Sequence, residues 1–370
     1  MISLALIAFL VSFVCGVWIV RTAKTHARIY RLDKPQRFHA GAVPRIGGVA
    51  VCAGMGVAWM AAALLEFLGI QLNVRLEFGT LLAWGLALLP TVGGGVVEDL
   101  TQRLSPRYRM VLSFMGGGLA VAWLGLSVDR LGNAELDAFW AAVPFAGTVL
   151  ALLAIAGLPH AFNIIDGYNG LAGFVAVLVC LALAHVSLQV GDRQLAAMLM
   201  CLVGATAGFL VWNYPRGLFF AGDGGAYLWG GVTAIASITL VQRHPEVSPW
   251  FPMLLLIYPV WETVFSIYRK MVRGVSPGVA DALHFHQLIY RRIVREVFHD
   301  DEARRMLMRN NRTSPYLWGF TLLTVIPALL FWRNTPVLLA FCVLFVCTYV
   351  PAYLMIVRFK VPRWIRRGRH

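Results

Sequence analysis

Five short polar stretches hold most of the side chains in this sequence that could take part in chemistry, and apolar residues fill most of the chain between them. Carboxylates that stop at the ends of apolar segments favour a reaction at a membrane surface over the passage of a solute through the membrane. The stretches are 37–39 with 44–48, 98–99 with 104–106, 163–170, 222–225, and 284–286.

Adjacent carboxylates, Glu98 and Asp99, end one apolar segment. Neighbouring like charges repel, and they are costly beside lipid, so a helix end with a purely structural role rarely has two of them. We interpret the pair as a candidate catalytic or cation-binding site. The alternative is a solvated helix cap.

Oxygen ligands that suit Mg²⁺ occur in two further stretches. Asp166 and Asn169 are three residues apart and lie on one side if this turn is helical. Asp223 stands in a Gly-Asp-Gly-Gly sequence at the predicted start of a span. Mg²⁺ binds few protein groups and completes its shell with water and phosphate oxygens. The alternatives are an Asn-Gly turn at the first site and an ordinary Asp helix cap at the second.

Basic and aromatic side chains near these carboxylates suggest contacts to a phosphorylated substrate. His284 and His286 precede Arg291, and two histidines alone seldom complete a transition-metal site, so we interpret them as pyrophosphate contacts. Arg45 has the same interpretation, and Phe220 could stack on a base. Neither GxxxxGK[ST] nor GxGxxG occurs in a strand-turn-helix context, so a nucleotide site would be of another type.

The elements that position these groups are predicted to be membrane spans. Of the 370 residues, 59% are hydrophobic and only 14% are charged, and the mean hydropathy is +0.70. A soluble domain has about 25% charged residues, whereas a run of about 20 apolar residues crosses a bilayer. We predict an all-α integral membrane protein with one polytopic domain, 1–370, and eleven transmembrane helices. The predicted spans are 1–20, 46–65, 78–97, 110–128, 138–159, 170–190, 194–212, 224–242, 249–268, 315–332 and 336–357.

The basic residues predict the orientation. The loops at 21–45, 98–109, 213–223 and 269–314 and the tail 358–370 together hold 27 of the 32 Lys and Arg residues. The positive-inside rule places these segments in the cytoplasm, with the N-terminus outside and the C-terminus inside. Such a face attracts anionic membrane lipids. The net charge of +14 does not indicate nucleic-acid binding, because no basic patch on a soluble fold is present.

Two cytoplasmic segments have features of their own. Within the loop 269–314, the pattern of residues 284–298 predicts a short amphipathic helix that lies along the membrane surface. We interpret the basic tail 358–370 as an anchor to lipid headgroups.

Taken together, the polar stretches resemble the polyprenyl-phosphate N-acetylhexosamine-1-phosphate transferase superfamily over about residues 32–292. Glu98 and Asp99 match the Asp-Asp pair of that family. Glu98 is one methylene longer than the usual Asp, which leaves open which carboxylate of the pair acts on the lipid phosphate.

Three further stretches complete the resemblance. Residues 163–172 match the family's N-x-x-D-G-x-[DN]-G-L-A segment. Asn213 and 222–225 match its Asn and G-D-x-G element, and 284–286 match its histidine motif. Counted with the stretch at 37–39 and 44–48, the resemblance includes five motifs in the order that the family has them.

The resemblance implies an enzyme of the bacterial inner membrane that transfers N-acetylhexosamine-1-phosphate from a UDP-sugar to undecaprenyl phosphate and releases UMP. It implies Mg²⁺ as cofactor, with Mn²⁺ as an alternative, and a place at the first membrane step of a cell-envelope polysaccharide such as lipopolysaccharide. It also allows a homodimer. The expected roles are catalysis for Glu98, Asp99 and Asp166, metal binding for Asp223 and Asn169, and substrate binding for Arg45, Asn163, Asn213, Phe220, His284, His286 and Arg291.

The alternatives are a transporter or lipid flippase and an intramembrane aromatic prenyltransferase. A transporter or lipid flippase predicts ionisable groups at the bilayer midplane and inverted repeats, but only His185 and Glu262 lie clearly within predicted spans. An intramembrane aromatic prenyltransferase would have paired DxxxD motifs, which this sequence lacks. We expect the sugar specificity to lie in 269–314.

Overall fold

The computed structural model describes residues 1–23, 43–70, 74–274, 283–294, 297 and 299–358. Over these residues the fold consists of fourteen α-helices and one π-helical turn, without a strand, so the predicted all-α class is confirmed. The helices are α1 (Ile2–Thr22), α2 (Gly47–Phe67), α3 (Phe78–Thr101), α4 (Pro106–Leu124), α5 (Ala134–Ala142), α6 (Ala146–Ile165), α7 (Leu171–Gln189), α8 (Arg193–Asn213), α9 (Gly222–Arg243), α10 (Trp250–Leu255), α11 (Ile257–Val272), α12 (Phe285–Leu288), α13 (Glu302–Leu330) and α14 (Thr335–Val357), with the π-helical turn at Ile289–Ile293.

Nine of the helices in the described part of the chain are long and apolar enough to cross a membrane, namely α1, α2, α3, α6, α7, α8, α9, α13 and α14. Helix α4 falls short of this criterion because Arg107 and Arg109 in its first turn lower its mean hydropathy. Helices α10 and α11 cover the predicted span 249–268 but are separated at Leu256. The chain is a multi-pass membrane protein, and the total of eleven crossings stays a prediction.

The predicted span 138–159 is displaced in the structure. Helix α5 ends at Ala142, and α6 begins at Ala146 and continues to Ile165. The cause is Pro144, which disfavours helical backbone in the residue before it. Val143 is accordingly extended, with φ −93° and ψ 109°.

Helix α9 lies at the centre of the bundle and packs against α2, α3, α6 and α7. The most apolar part of this helix is entirely buried within the bundle, as expected for a helix that is hydrophobic all round. Glycines allow its N-terminus to be approached closely. A Cβ atom on Gly48 of α2 would collide with the backbone of Gly225, and one on Gly95 of α3 would collide with that of Gly224.

The segment 269–314 contains more helix than a loop would. Helix α11 continues to Val272, and α13 begins at Glu302, where the Asp301 side chain accepts the N–H of Ala303 at 2.8 Å. Between them, α12 and the π-helical turn bury Leu288 and Ile289 and contact α13 and α14. Their placement along a membrane surface stays a prediction.

Two of the predicted features lie outside the described residues. They are the basic and aromatic group at 37–39 and all of the tail 358–370 except its first residue. The remaining polar stretches lie at or next to helix ends.

Candidate active site

A cavity of about 320 Å³ opens where the end of α3, the start of α4, the end of α6 and the start of α9 meet. It brings together nine of the twelve side chains that the sequence predicted as site residues. These nine are Arg45, Glu98, Asp99, Asn163, Asp166, Phe220, Asp223, His284 and His286. The same cavity is lined by five further polar or aromatic residues that were not predicted from the sequence: Gln102, Arg109, Tyr168, Gln287 and Asn310.

Asp99 anchors the N-terminus of α9. One carboxylate oxygen accepts the backbone N–H of Asp223 at 2.8 Å, and the other accepts that of Gly224, also at 2.8 Å. Only 4% of Asp99 is exposed. The first N–H groups of a helix have no partner within the helix, and a carboxylate there also interacts favourably with the helix dipole. Asp99 is therefore a cap supplied by another helix, and it fixes where Asp223 lies.

The Asp223 side chain has two partners in the cavity. Its carboxylate forms an ion pair with the Arg109 guanidinium and accepts a hydrogen bond of 2.8 Å from the Asn163 side-chain amide. Arg109 comes from the first turn of α4 and also interacts electrostatically with Tyr227. Arg109 was not predicted as a site residue. It could have been identified from its position, two residues beyond the Leu-Ser-Pro-Arg sequence that follows the acidic pair.

Glu98 closes the turn between α3 and α4. Its carboxylate accepts the N–H of Leu104 at 2.7 Å. Gln102 in this turn has a left-handed backbone with φ 53°, and its N–H donates to the carbonyl of Glu98 at 2.7 Å. Glu98 thus lines the cavity while one of its oxygens holds the backbone of the turn.

Arg45 reaches the cavity because its stretch runs beside the residues that precede α9. The N–H of Phe220 donates to the carbonyl of Pro44 at 2.8 Å, and the N–H of Gly47 donates to the carbonyl of Phe220 at 2.8 Å. Arg45 stands between these two pairings and interacts electrostatically with Asp99. The half-buried Phe220 side chain lines the cavity next to it.

Asp166, which lies outside the membrane-spanning helices, has a raised pKa in this site. It follows the last residue of α6 and is half-buried. Loss of hydration raises its pKa to about 7, with Arg45 opposing the rise and the charge of Asp223 adding to it. A carboxyl group with such a pKa changes its charge near neutral pH, which is typical of functional sites.

The two histidines stand parallel at one side of the cavity. Their ring centroids are 5.3 Å apart, and the rings are within 6° of parallel. Tyr168 meets His286 edge to face at 5.6 Å. Both histidine side chains are buried apart from the surface that they present to the cavity.

Asn169 and Asn213 do not line the cavity. The Asn213 side chain accepts the N–H of Gly170 at 2.6 Å and donates to the carbonyl of Phe219 at 2.9 Å. The Asn169 amide donates to the side-chain oxygen of Asn311 at 2.8 Å. Both therefore hold the 163–170 turn in place.

Asp166 and Asn169 were predicted to lie on one side of a helical turn, but this turn is not helical and they do not. Asp166 ends α6 with φ −78° and ψ 59°, and α7 begins only at Leu171. The two side chains diverge, and Asp166 alone reaches the cavity. Arg291, the third predicted residue outside the lining, lies in the π-helical turn.

Known proteins resemble this chain over most of its length. Residues 81–241 match the model of glycosyl transferase family 4. A probable undecaprenyl-phosphate N-acetylglucosaminyl 1-phosphate transferase of Bacillus subtilis is 26% identical over 76% of this chain and 75% of its own. An undecaprenyl-phosphate alpha-N-acetylglucosaminyl 1-phosphate transferase of Thermotoga maritima is 27% identical over 78% and 80%. A phospho-N-acetylmuramoyl-pentapeptide-transferase of Moorella thermoacetica is 29% identical over 59% and 68%.

Proposed function

We propose that this chain, which belongs to the polyprenyl-phosphate N-acetylhexosamine-1-phosphate transferase superfamily, transfers a sugar-1-phosphate from a UDP-N-acetylhexosamine to undecaprenyl phosphate. The observation that carries the proposal is the cavity, where four carboxylates lie with two arginines and two histidines at the ends of membrane helices. Two substrates with three phosphates between them need such a mixture of cation-binding and anion-binding groups.

The proposed location is the bacterial inner membrane, with the cavity on the cytoplasmic side. The basic loops support this orientation, since 27 of the 32 Lys and Arg residues lie in segments predicted on that side. We propose eleven crossings, with α4 and the α10–α11 pair included. An odd number would put the two termini on opposite sides of the membrane, and the basic loops favour the N-terminus outside and the C-terminus in the cytoplasm. A cytoplasmic site is where a nucleotide sugar would be available.

The residues of the cavity fit a Mg²⁺ ion. The oxygens of Asp99 accept backbone N–H groups at the start of α9, whereas the partners of Asp223 are the side chains of Arg109 and Asn163. We propose that Asp223 and Asp166 are the carboxylates that hold the cation. Among the described residues there is no group of three or more His, Cys, Asp or Glu side chains placed to hold a metal. A site with one or two carboxylates, completed by substrate phosphate and water, is the kind that Mg²⁺ usually occupies. Mn²⁺ has similar ligand preferences and is the alternative.

In the proposed reaction, an oxygen of the lipid phosphate attacks the phosphorus that carries the sugar. A new P–O bond forms, the bond to the UMP oxygen breaks, and UMP leaves with the electron pair. A bound Mg²⁺ would supply charge neutralisation to the diphosphate. Arg45, Arg109 and the histidines bind and orient phosphate oxygens, and positioning of this kind accounts for most of the catalysis in phosphoryl transfer.

Proton handling makes small demands on the site. The second pKa of a phosphate monoester is about 6, so the lipid phosphate is largely dianionic near neutral pH. The lipid phosphate therefore has little need of a general base, and Asp166 keeps its proposed role as a cation ligand. Asp99 acts through α9 rather than on the lipid phosphate, and Glu98 keeps one oxygen on the α3–α4 turn.

The nature of the sugar is proposed at the level of the N-acetylhexosamine class. The named relatives include N-acetylglucosaminyl and phospho-N-acetylmuramoyl-pentapeptide transferases, so family membership alone does not choose between them. We propose a role in the first membrane step of a cell-envelope polysaccharide, with lipopolysaccharide as one such product. The specificity would reside in the segment 269–314.

The test is an assay of the purified protein with undecaprenyl phosphate, Mg²⁺ and a panel of UDP-sugars, in which UMP release is measured. We expect UMP with at least one UDP-N-acetylhexosamine, and none when undecaprenyl phosphate is left out. Failure to release UMP with any of them, from protein that is monodisperse in detergent, would contradict the proposal.

The transporter or flippase alternative is not favoured by the described residues. His185 lies on the exposed side of α7 rather than inside the bundle. Glu262 is buried and bonded to His284, a residue of the cavity wall. The ionisable groups within spans thus do not outline a path across the membrane.

A further inference from the structure

A carboxylate lies buried behind the cavity wall, outside the stretches that the sequence singled out. Glu262 of α11 is fully buried. One of its oxygens is 3.0 Å from Nδ1 of His284 and accepts the N–H of Phe285 at 3.0 Å. Its other oxygen accepts the hydroxyl of Tyr349 on α14 at 2.8 Å. A carboxylate with three hydrogen-bond donors is stable in such a place, whereas an isolated one would not be.

The backbone beside His284 is held from the same two helices. Arg269, seven residues after Glu262 on α11, donates to the carbonyl of Leu283 at 2.8 Å. Tyr353, four residues after Tyr349 on α14, donates to the same carbonyl at 3.1 Å. The Arg269 guanidinium lies over the Tyr353 ring, 4.7 Å from its centre. Residues 283–285 are thus clamped between α11 and α14.

This clamp determines how His284 meets the cavity. Because Nδ1 faces the Glu262 carboxylate, that nitrogen carries a proton and donates it, and Nε2 is the nitrogen that remains for a ligand. A second partner of this kind fixes both the tautomer and the ring orientation of a functional histidine. The parallel ring of His286 at 5.3 Å limits rotation from the other side.

We propose that Glu262 is a positioning residue for His284, which it orients with Nε2 toward the substrate phosphates. Tyr349 supports Glu262 in this role. The assignment rests on the proposed function for the identity of the ligand, a nucleoside diphosphate sugar. It concerns residues that all lie beyond the 81–241 region matched by the family model.

Several ionisable groups surround His284. Glu262 and Arg269 face this region from α11, Tyr349 and Tyr353 face it from α14, and His286 lies on its own turn. The cavity adds the acidic side chains of Glu98, Asp99, Asp166 and Asp223 and the basic ones of Arg45 and Arg109. Of these groups, Glu262 is the carboxylate in direct contact with the imidazole of His284.

The first test needs no substrate. In protein labelled with ¹⁵N-histidine, the His284 signals are identified by their loss in His284→Ala and are then titrated. In Glu262→Gln we expect the titration midpoint of His284 to fall by about one pH unit or more, because the anion that favours the imidazolium is gone. In the matched control Tyr349→Phe the charge remains, and we expect a smaller shift. Identical His284 titrations in wild type and Glu262→Gln would overturn the proposal.

The second test asks whether Glu262 acts through His284. KM for the UDP-sugar and kcat are measured for Glu262→Gln, for His284→Ala and for the double variant, with thermal stability in detergent recorded for each. We expect Glu262→Gln to raise KM about tenfold or more, and to add almost nothing once His284 is absent. A purely structural Glu262 would lower stability and activity equally in both backgrounds, which would contradict the proposal.

The two tests separate this inference from the proposed reaction. If wild-type protein releases no UMP from any UDP-sugar, the proposed function fails, and the titration still decides whether Glu262 controls His284. If UMP is released and the His284 titration does not respond to Glu262→Gln, the reaction stands and the positioning role is wrong.

Discussion

The carboxylate of Asp99 accepts a hydrogen bond of 2.8 Å from the backbone N–H of Asp223, although the two residues are 124 positions apart in the chain. The same carboxylate holds the next N–H, that of Gly224. Two acidic side chains that both line the cavity therefore have different tasks, since one fixes the helix terminus that carries the other.

Asp99→Asn is expected to lower both activity and stability. An amide has one acceptor oxygen, and its NH2 group would face a backbone N–H donor, so one buried donor loses its partner at a cost of about 1–3 kcal/mol. UMP release and the melting temperature in detergent measure the two effects. Glu98→Asp is the matched control, and we expect it to retain substantial activity. An active, stable Asp99→Asn beside an inactive Glu98→Asp would reverse these roles.

Asp223→Asn is expected to reduce UMP release by about 10²–10³, the usual loss when one charge-stabilising contact is removed from an active site. The variant keeps the size of the side chain and leaves the Asp99 cap intact. Turnover is measured over a range of Mg²⁺ concentrations, with the elution profile in detergent as the folding control. Near wild-type turnover at every Mg²⁺ concentration would show that Asp223 is not a metal ligand.

Arg109→Lys should lower activity although the charge is kept. Arg109 pairs with Asp223 in the cavity, and a lysine cannot present the planar, forked donors of a guanidinium. We expect a loss of about tenfold, equivalent to about 1.4 kcal/mol. Arg107→Lys is the matched control, because Arg107 is exposed in the same helical turn. If both variants lowered activity equally, Arg109 would have no specific role at Asp223 and would contribute only its positive charge.

The requirement for Mg²⁺ should depend on pH through Asp166. Its pKa is raised to about 7, mainly by loss of hydration, so the group is largely protonated at pH 6 and largely ionised at pH 8. We expect the Mg²⁺ concentration for half-maximal UMP release to fall as pH rises over this range. In Asp166→Asn the activity should be low and this dependence flat. An unchanged slope in the variant would assign the titration to another group.

The orientation predicts which cysteines an impermeant reagent can label in intact cells. In a background without the six native cysteines, Ser105→Cys in the α3–α4 turn should be protected, and Glu135→Cys in α5 should react. The two positions lie at opposite ends of α4 and its following loop, so each is the control for the other. Reaction at position 105 with protection at position 135 would invert the topology and move the cavity to the outer face.

The sequence alone determined the class of protein and the positions of its polar stretches. A bilayer requires apolar runs of a fixed length, so the helices appear in a single sequence as long hydrophobic segments. The same hydrophobic segments mark where polar side chains at their ends, such as Asp223 and Asp166, stand in the chain. The displaced helix α6 shows the limit of this signal, because hydropathy did not register the break imposed by Pro144.

Only the tertiary structure decided which side chains work together. Arg109 meets Asp223 from 114 residues away, and Glu262 meets His284 from another helix. Asn169 turns away from the cavity that Asp166 lines, since the chain between them is not helical. Hydropathy is a local property that the membrane imposes, whereas partners are set by the rotation and packing of helices against one another, which spacing along the chain does not contain.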